Sequence, residues 1–280
     1  MSIKIVSWVV LAAIMLGAVL LFNYWASYQL LSTLAYTGIV AALFGLANLA
    51  FPFRYLGIRR RTVGVLVVAA GVALAVAALY WPVSVIRVAE PRTRLDELMP
   101  EYQFYERHST RIHAGPEHVI EAIRQSTFGD MRSLRVLLKV RAAALRAPSR
   151  DNGAFGSDKR IFDAFTASGY VSGATEHEVL MCGGANVREG RVLPAHSLQE
   201  FADYRVEGGV KIGFDFYVED AGEGWSKVTA ETRVLAVDEA TTRGLARYWR
   251  LIVPGSGLLR REWLEGIKRR AESKKLNGVS

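Results

Sequence analysis

The sequence has a single cysteine, Cys182, in 280 residues. That excludes an intramolecular disulfide and any zinc centre built on several thiolates. Charge is missing over a much longer stretch: the 49 residues 5–53 carry none. One bilayer span needs about 20 apolar residues, so this run is long enough for two. The polar segment Asn23-Tyr24-Trp25-Ala26-Ser27-Tyr28-Gln29 divides it. Spans are therefore expected at 5–22 and 30–51, with a third at 62–81 before Pro82. Tyr24, Trp25, Tyr28, Tyr80 and Trp81 stand at the span ends, where amphipathic rings prefer the interface. Only Lys4 precedes the first span and two further spans follow, which argues for a retained span over a cleaved signal peptide. A broad basic surplus is also lacking. Residues 1–90 are net +5 and the other 190 only net +3, so the soluble part offers no electrostatic footprint for nucleic acid.

The connection between the second and third spans carries Arg54, Arg59, Arg60 and Arg61, whereas that between the first two is uncharged. With Lys4, the positive-inside rule puts this loop and the N-terminus in the cytoplasm and everything after Trp81 outside it. Arg87, Arg92 and Arg94 pull the other way, three basic residues against five. The expected product is a multi-pass cell-membrane protein with an extracytoplasmic C-terminal domain. Gly38/Ala42 and Gly71/Ala75 are small-residue pairs that permit close helix contact.

Beyond the membrane region (1–88), residues 89–100 read as a linker between Pro91 and Pro100, and 101–280 as the soluble domain. Residues 103–114 alternate like a strand. Gly115-Pro116-Glu117 starts a helix, with Pro in its first turn and Glu complementing its dipole. A second helix fits 130–145 and a loop 147–159. Strands are expected at 169–174, 178–182, 211–218 and 225–237, with a turn at 220–224. A long helix over 239–274 carries one apolar stripe, Leu245, Trp249, Ile252, Leu259, Trp263, Ile267 and Ala271. Pro254-Gly255-Ser256-Gly257 predicts a kink or short break in it.

Three segments resemble a known superfamily. Arg111-Ile112-His113-Ala114-Gly115-Pro116-Glu117-His118-Val119 is similar to the strand-to-helix junction of START-like (SRPBCC) proteins, which include lipid-transfer domains, the birch pollen allergen family and polyketide cyclases. Thr229-Ala230-Glu231-Thr232-Arg233-Val234 resembles the last strand of a bacterial membrane-anchored subgroup of undefined function. Tyr248-Trp249-Arg250-Leu251-Ile252-Val253-Pro254-Gly255-Ser256-Gly257, with Arg260 and Trp263, resembles that subgroup's C-terminal helix. The resemblance implies an α+β helix-grip fold, a curved antiparallel sheet around the long C-terminal helix, enclosing an apolar chamber for a hydrophobic or lipid-like ligand. The chamber would be lined by Ile212, Phe214, Phe216 and Val234 from the sheet and Leu245, Trp249 and Ile252 from the helix.

On the strand 103–114, Glu106 and His108 share the face of Ile112 and should point inward, where a carboxylate and an imidazole need partners. Glu231 and Arg233 lie on the strand expected to pair with it. A cluster of Glu106, His108, Glu231 and Arg233 is thus available to orient a ligand head group or to perform acid–base chemistry. The primary expectation is a membrane-tethered, non-enzymatic binder of a hydrophobic small molecule. The alternatives are a cyclase- or hydrolase-type enzyme using His108 with Glu106 or Glu231, and a non-catalytic partner in a membrane complex. No cofactor is expected, since no phosphate-cradling glycine loop is present, and no metal, since His108 and His113 face opposite sides of their strand.

Overall fold

The computed structural model describes residues 29–50, 61–144, 156–187, 189 and 191–277. The first expected span (5–22), nearly all of the arginine loop and most of the loop at 147–159 lie outside the described residues. The chain forms two compact units, Met1–Pro82 with Ala246–Pro254, and Val83–Leu245 with Gly255–Ser280.

In the first unit, α1 (Leu30–Ala50) and α2 (Arg61–Tyr80) stand where the second and third spans were expected. At 1.5 Å per residue their 21 and 20 residues reach about 30 Å, the thickness of a bilayer core. Only 28% and 22% of their apolar windows are buried, the reverse of a core helix in a water-soluble protein. They meet along the small residues singled out in the sequence. A Cβ on Gly38 would stand 2.6 Å from the Gly71 carbonyl oxygen, and one on Gly71 2.5 Å from the Ala42 nitrogen, so the backbones touch only because both are glycine.

The second unit is α+β. Its sheet is built from β3 (Phe104–Ile112), β4 (Val171–Ala174), β5 (Glu178–Asn186), β6 (Arg191–Leu193), β7 (Gly209–Asp220) and β8 (Ser226–Ala236). The order is β3-β8-β7-β5-β4 with β6 beside β5, and every pairing is antiparallel. Between β3 and β4 run α4 (Pro116–Arg124), α5 (Leu134–Ala144) and α6 (Ile161–Ala167). Gly222, Glu223 and Gly224 take positive φ at the β7–β8 turn, as its glycines predict.

The final helix, α8 (Glu239–Asn277), continues through Pro254 without the short break that was one of the two expectations there. Small residues there serve packing: a Cβ on Gly255 would lie 3.3 Å from Leu137 of α5. Within the second unit the stripe residues Trp263, Ile267 and Ala271 are buried, and Leu259 packs against the same core. That core joins them to Phe214 and Phe216 of β7, Val179 and Met181 of β5, and Ile120 and Ile123 of α4.

The segment read as a linker is ordered. The pair β1 (Ile86–Arg87) and β2 (Glu101–Tyr102) brackets a short helix, α3 (Arg94–Leu98), closed by a Thr93/Asp96 capping box. With α7 (Leu198–Asp203) it covers the other face of the sheet, where Leu95, Met99, Leu180, Cys182 and Phe201 form a second core. A Cβ on Gly213 of β7 would stand 2.6 Å from Leu95, which fixes how closely α3 approaches.

Candidate functional site

Register separates the four polar residues expected to cluster. Glu106 pairs with Thr232 and His108 with Ala230, so these four share the inner face with Phe214 and Phe216. Tyr105 pairs with Arg233 and Arg107 with Glu231, which sets Glu231 and Arg233 on the opposite face. A period-two strand cannot bring neighbours of odd offset to one side. The proposed foursome is therefore two separate sites.

On the inner face, Glu106 is 1% exposed and His108 is buried. His108 Nε2 and Glu106 Oε1 share a 2.7 Å hydrogen bond. Glu106 Oε2 is buried without a hydrogen-bond partner. From α8, Arg260 reaches into the same interior. Its guanidinium lies 4.9 Å from the Phe214 ring centroid and 5.2 Å from that of Trp263. One terminal nitrogen, Nη2, donates to Thr232 Oγ1. The other, Nη1, is buried and unpartnered. Burial pulls the Arg260 pKa down, and the nearby Glu106 carboxylate opposes that pull. The interior thus holds an acceptor and a donor, near enough to influence each other, each with a vacant hydrogen-bonding position. An unmet buried polar group costs about 1–3 kcal/mol, more when it is charged.

Around Trp263 the interior is filled by the protein's own rings: Phe214 and Phe216 lie 5.9 and 4.7 Å from it, and Phe162 5.9 Å. The remaining expected lining residues divide. Val234, which pairs with the buried Phe104, and Leu245 are buried, Ile212 is half-buried, and Trp249 and Ile252 belong to the helical segment grouped with α1 and α2. Trp249 Nε1 donates to Gln29 Oε1 at 3.2 Å. Arg250 beside it donates to the carbonyls of Leu79 and Trp81, capping the end of α2.

On the outer face Arg233 is fully engaged. It donates to Glu231 Oε1 (2.7 Å), to the Met99 carbonyl (3.2 Å) and to Asp96 Oδ1, with its guanidinium 4.7 Å from the Tyr102 ring centroid. Glu231 also accepts from Arg107 at 2.8 Å. Burial would raise the Asp96 pKa, but the amides of Arg92 and Thr93 and the Arg233 guanidinium hold it low. Glu178 accepts from the amides of Arg94 and Leu95, so it caps α3. Next to it Asp215 is driven well above the usual carboxylate range, first by burial and then by the charges of Glu178 and Glu231. Burial also lowers Lys211 to about 8, and its Nζ donates to the Ala202 carbonyl at 2.7 Å. Apart from Asp215 Oδ1, which is buried without a hydrogen-bond partner, this network is internally paired, and it anchors α3 and α7 to the sheet.

Sequence reading missed Arg260 as a site residue, although its three-residue offset from Trp263 marks the buried side of α8. It also missed Asp215, Lys211, Glu178 and Asp96, because the alternation in β7 marks an inner face without revealing that the outer face is covered. No protein-family model matches the chain, nor does any curated protein or solved structure.

Proposed function

We propose that this chain is a membrane-anchored protein whose C-terminal domain holds one amphiphilic, lipid-like molecule on the inner face of its sheet. The observation that carries the reading is the pair of buried, unpartnered atoms Glu106 Oε2 and Arg260 Nη1 beside apolar walls. Binding sites of this kind are mostly apolar with a few placed polar groups. The ligand's polar end would meet these atoms, and its apolar part would lie towards Phe104, Val234, Ile212 and Leu245, away from the filled region around Trp263. Two apolar helices of span length, mostly uncovered by protein, support the anchoring. The order of strand, helices, antiparallel strands and long final helix supports kinship with the START-like helix-grip proteins, and positive-inside counting supports an extracytoplasmic domain.

Mass spectrometry of organic extracts from the purified full chain tests this reading. One amphiphile should be enriched in the wild type and depleted in Arg260→Met and in Glu106→Gln. Identical lipid profiles in all three folded proteins would reject it.

The 2.7 Å His108–Glu106 bond favours one second reading, a general acid–base pair in a cyclase- or hydrolase-type enzyme. Its mark would be turnover of the extracted molecule that is lost in His108→Gln while binding persists.

A further inference from the structure

The exposed side of α5 has no role in either site. Leu134 is buried and Leu138 packs against the main core, so that side of α5 faces inward. Ser133, just before α5, binds Glu262 of α8 through its amide (2.9 Å) and its hydroxyl (2.8 Å), which pins the start of the helix. The opposite side presents Arg135, Val136, Lys139 and Val140, with Arg132 just ahead of it, all exposed. Val136 is 62% and Val140 58% exposed, four residues apart and so in one row along the helix. Residues 131–140 contain three basic side chains, Arg132, Arg135 and Lys139, and no acidic one.

Valines exposed in a row cost solvation, and clustered cations without acids repel one another. A surface that is both apolar and cationic is complementary to one environment above others, the headgroup region of an anionic bilayer. There apolar side chains enter the acyl boundary and Lys and Arg meet lipid phosphates. Two helices of span length in the same chain favour a bilayer over an acidic protein as the partner of this face. Five residues separate α2 from β1, so the unit that carries α5 begins close to the membrane that α1 and α2 are suited to cross.

We propose that α5 is a membrane-surface helix that lays Val136 and Val140 into an anionic leaflet, with Arg132, Arg135 and Lys139 on the lipid phosphates. The test uses the full chain in nanodiscs, with an environment-sensitive fluorophore at Val140→Cys and nitroxide-labelled lipid as quencher; Cys182 is buried, and protein without the substitution controls for its labelling. Quenching should be at least about threefold stronger with phosphatidylglycerol than with phosphatidylcholine alone. It should weaken at high salt and in the Arg135→Glu/Lys139→Glu background, with an unchanged Tm. Equal quenching in both lipids, or no quenching in either, overturns the proposal. So does a fluorophore that is shielded without being quenched, because protein would then cover the face.

Discussion

His108 Nε2 occupies one oxygen of Glu106, at 2.7 Å, and leaves the other, Oε2, buried without a partner. Glu178 on α3 and Glu231 on two arginines, by contrast, have both oxygens met. Removing the imidazole deprives Glu106 of a bond worth about 1.5–3 kcal/mol. His108→Ala should lower stability by that amount in thermal denaturation, and His108→Gln should recover about half of it.

Arg233 and Arg107 both bind Glu231 but should differ sharply on substitution. Arg233→Ala strands Asp96 and Glu231 in the interior and should cost about 3–5 kcal/mol. The Arg107 side chain is 52% exposed, and Arg107→Ala should cost no more than about 1 kcal/mol. Denaturant titrations of the two variants would check the ordering. Similar losses would contradict the view that only one of them is structural.

Asp215 gives a pH dependence of definite sign. Its folded-state pKa is raised by burial and by neighbouring carboxylates. Folding therefore holds its proton, and stability declines as pH climbs from the unfolded carboxylate range, near 4, towards the folded value. The slope is up to about 1.4 kcal/mol per pH unit. Asp215→Asn stays neutral throughout. Its Tm should gain on the wild type as pH rises above the unfolded carboxylate range, and a difference that stays constant with pH would show that Asp215 is ionised.

In the α1–α2 pair, Gly71→Ala places a methyl 2.5 Å from the Ala42 nitrogen and should loosen the contact. Gly244→Ala on α8 meets nothing within 4 Å and should stabilise by about 0.5–1 kcal/mol through helix propensity. Thermal unfolding in detergent should move in opposite directions for the two.

Much of this architecture could be read from residue types. Freedom from charge located α1 and α2, alternation located β3, β7 and β8, and three-or-four spacing found Trp263, Ile267 and Ala271 on the buried side of α8. Glu106 and His108 were placed inward because Ile112 shares their parity. Pairing Glu231 and Arg233 with them failed because the cross-strand offset is odd, and offset is set by register, which one strand's sequence does not contain. Trp249 and Ile252 were assigned to the ligand chamber because a stripe on one helix gives no sign that residues 246–254 within it join a different unit. α3 went unseen because it is only five residues long: its local signal is the Thr93/Asp96 capping box, and the rest of its N-terminal capping comes from Glu178, 83 residues away from Leu95 in sequence.

Native mass spectrometry of the full chain released from nanodiscs addresses the interior most directly. A single additional mass per chain should survive in the wild type, match one amphiphile, and fall by at least about tenfold in occupancy when Arg260 becomes Met, equivalent to about 1.4 kcal/mol of lost recognition. A wild-type spectrum showing only the bare chain, or bound lipid indifferent to Arg260, would contradict the account.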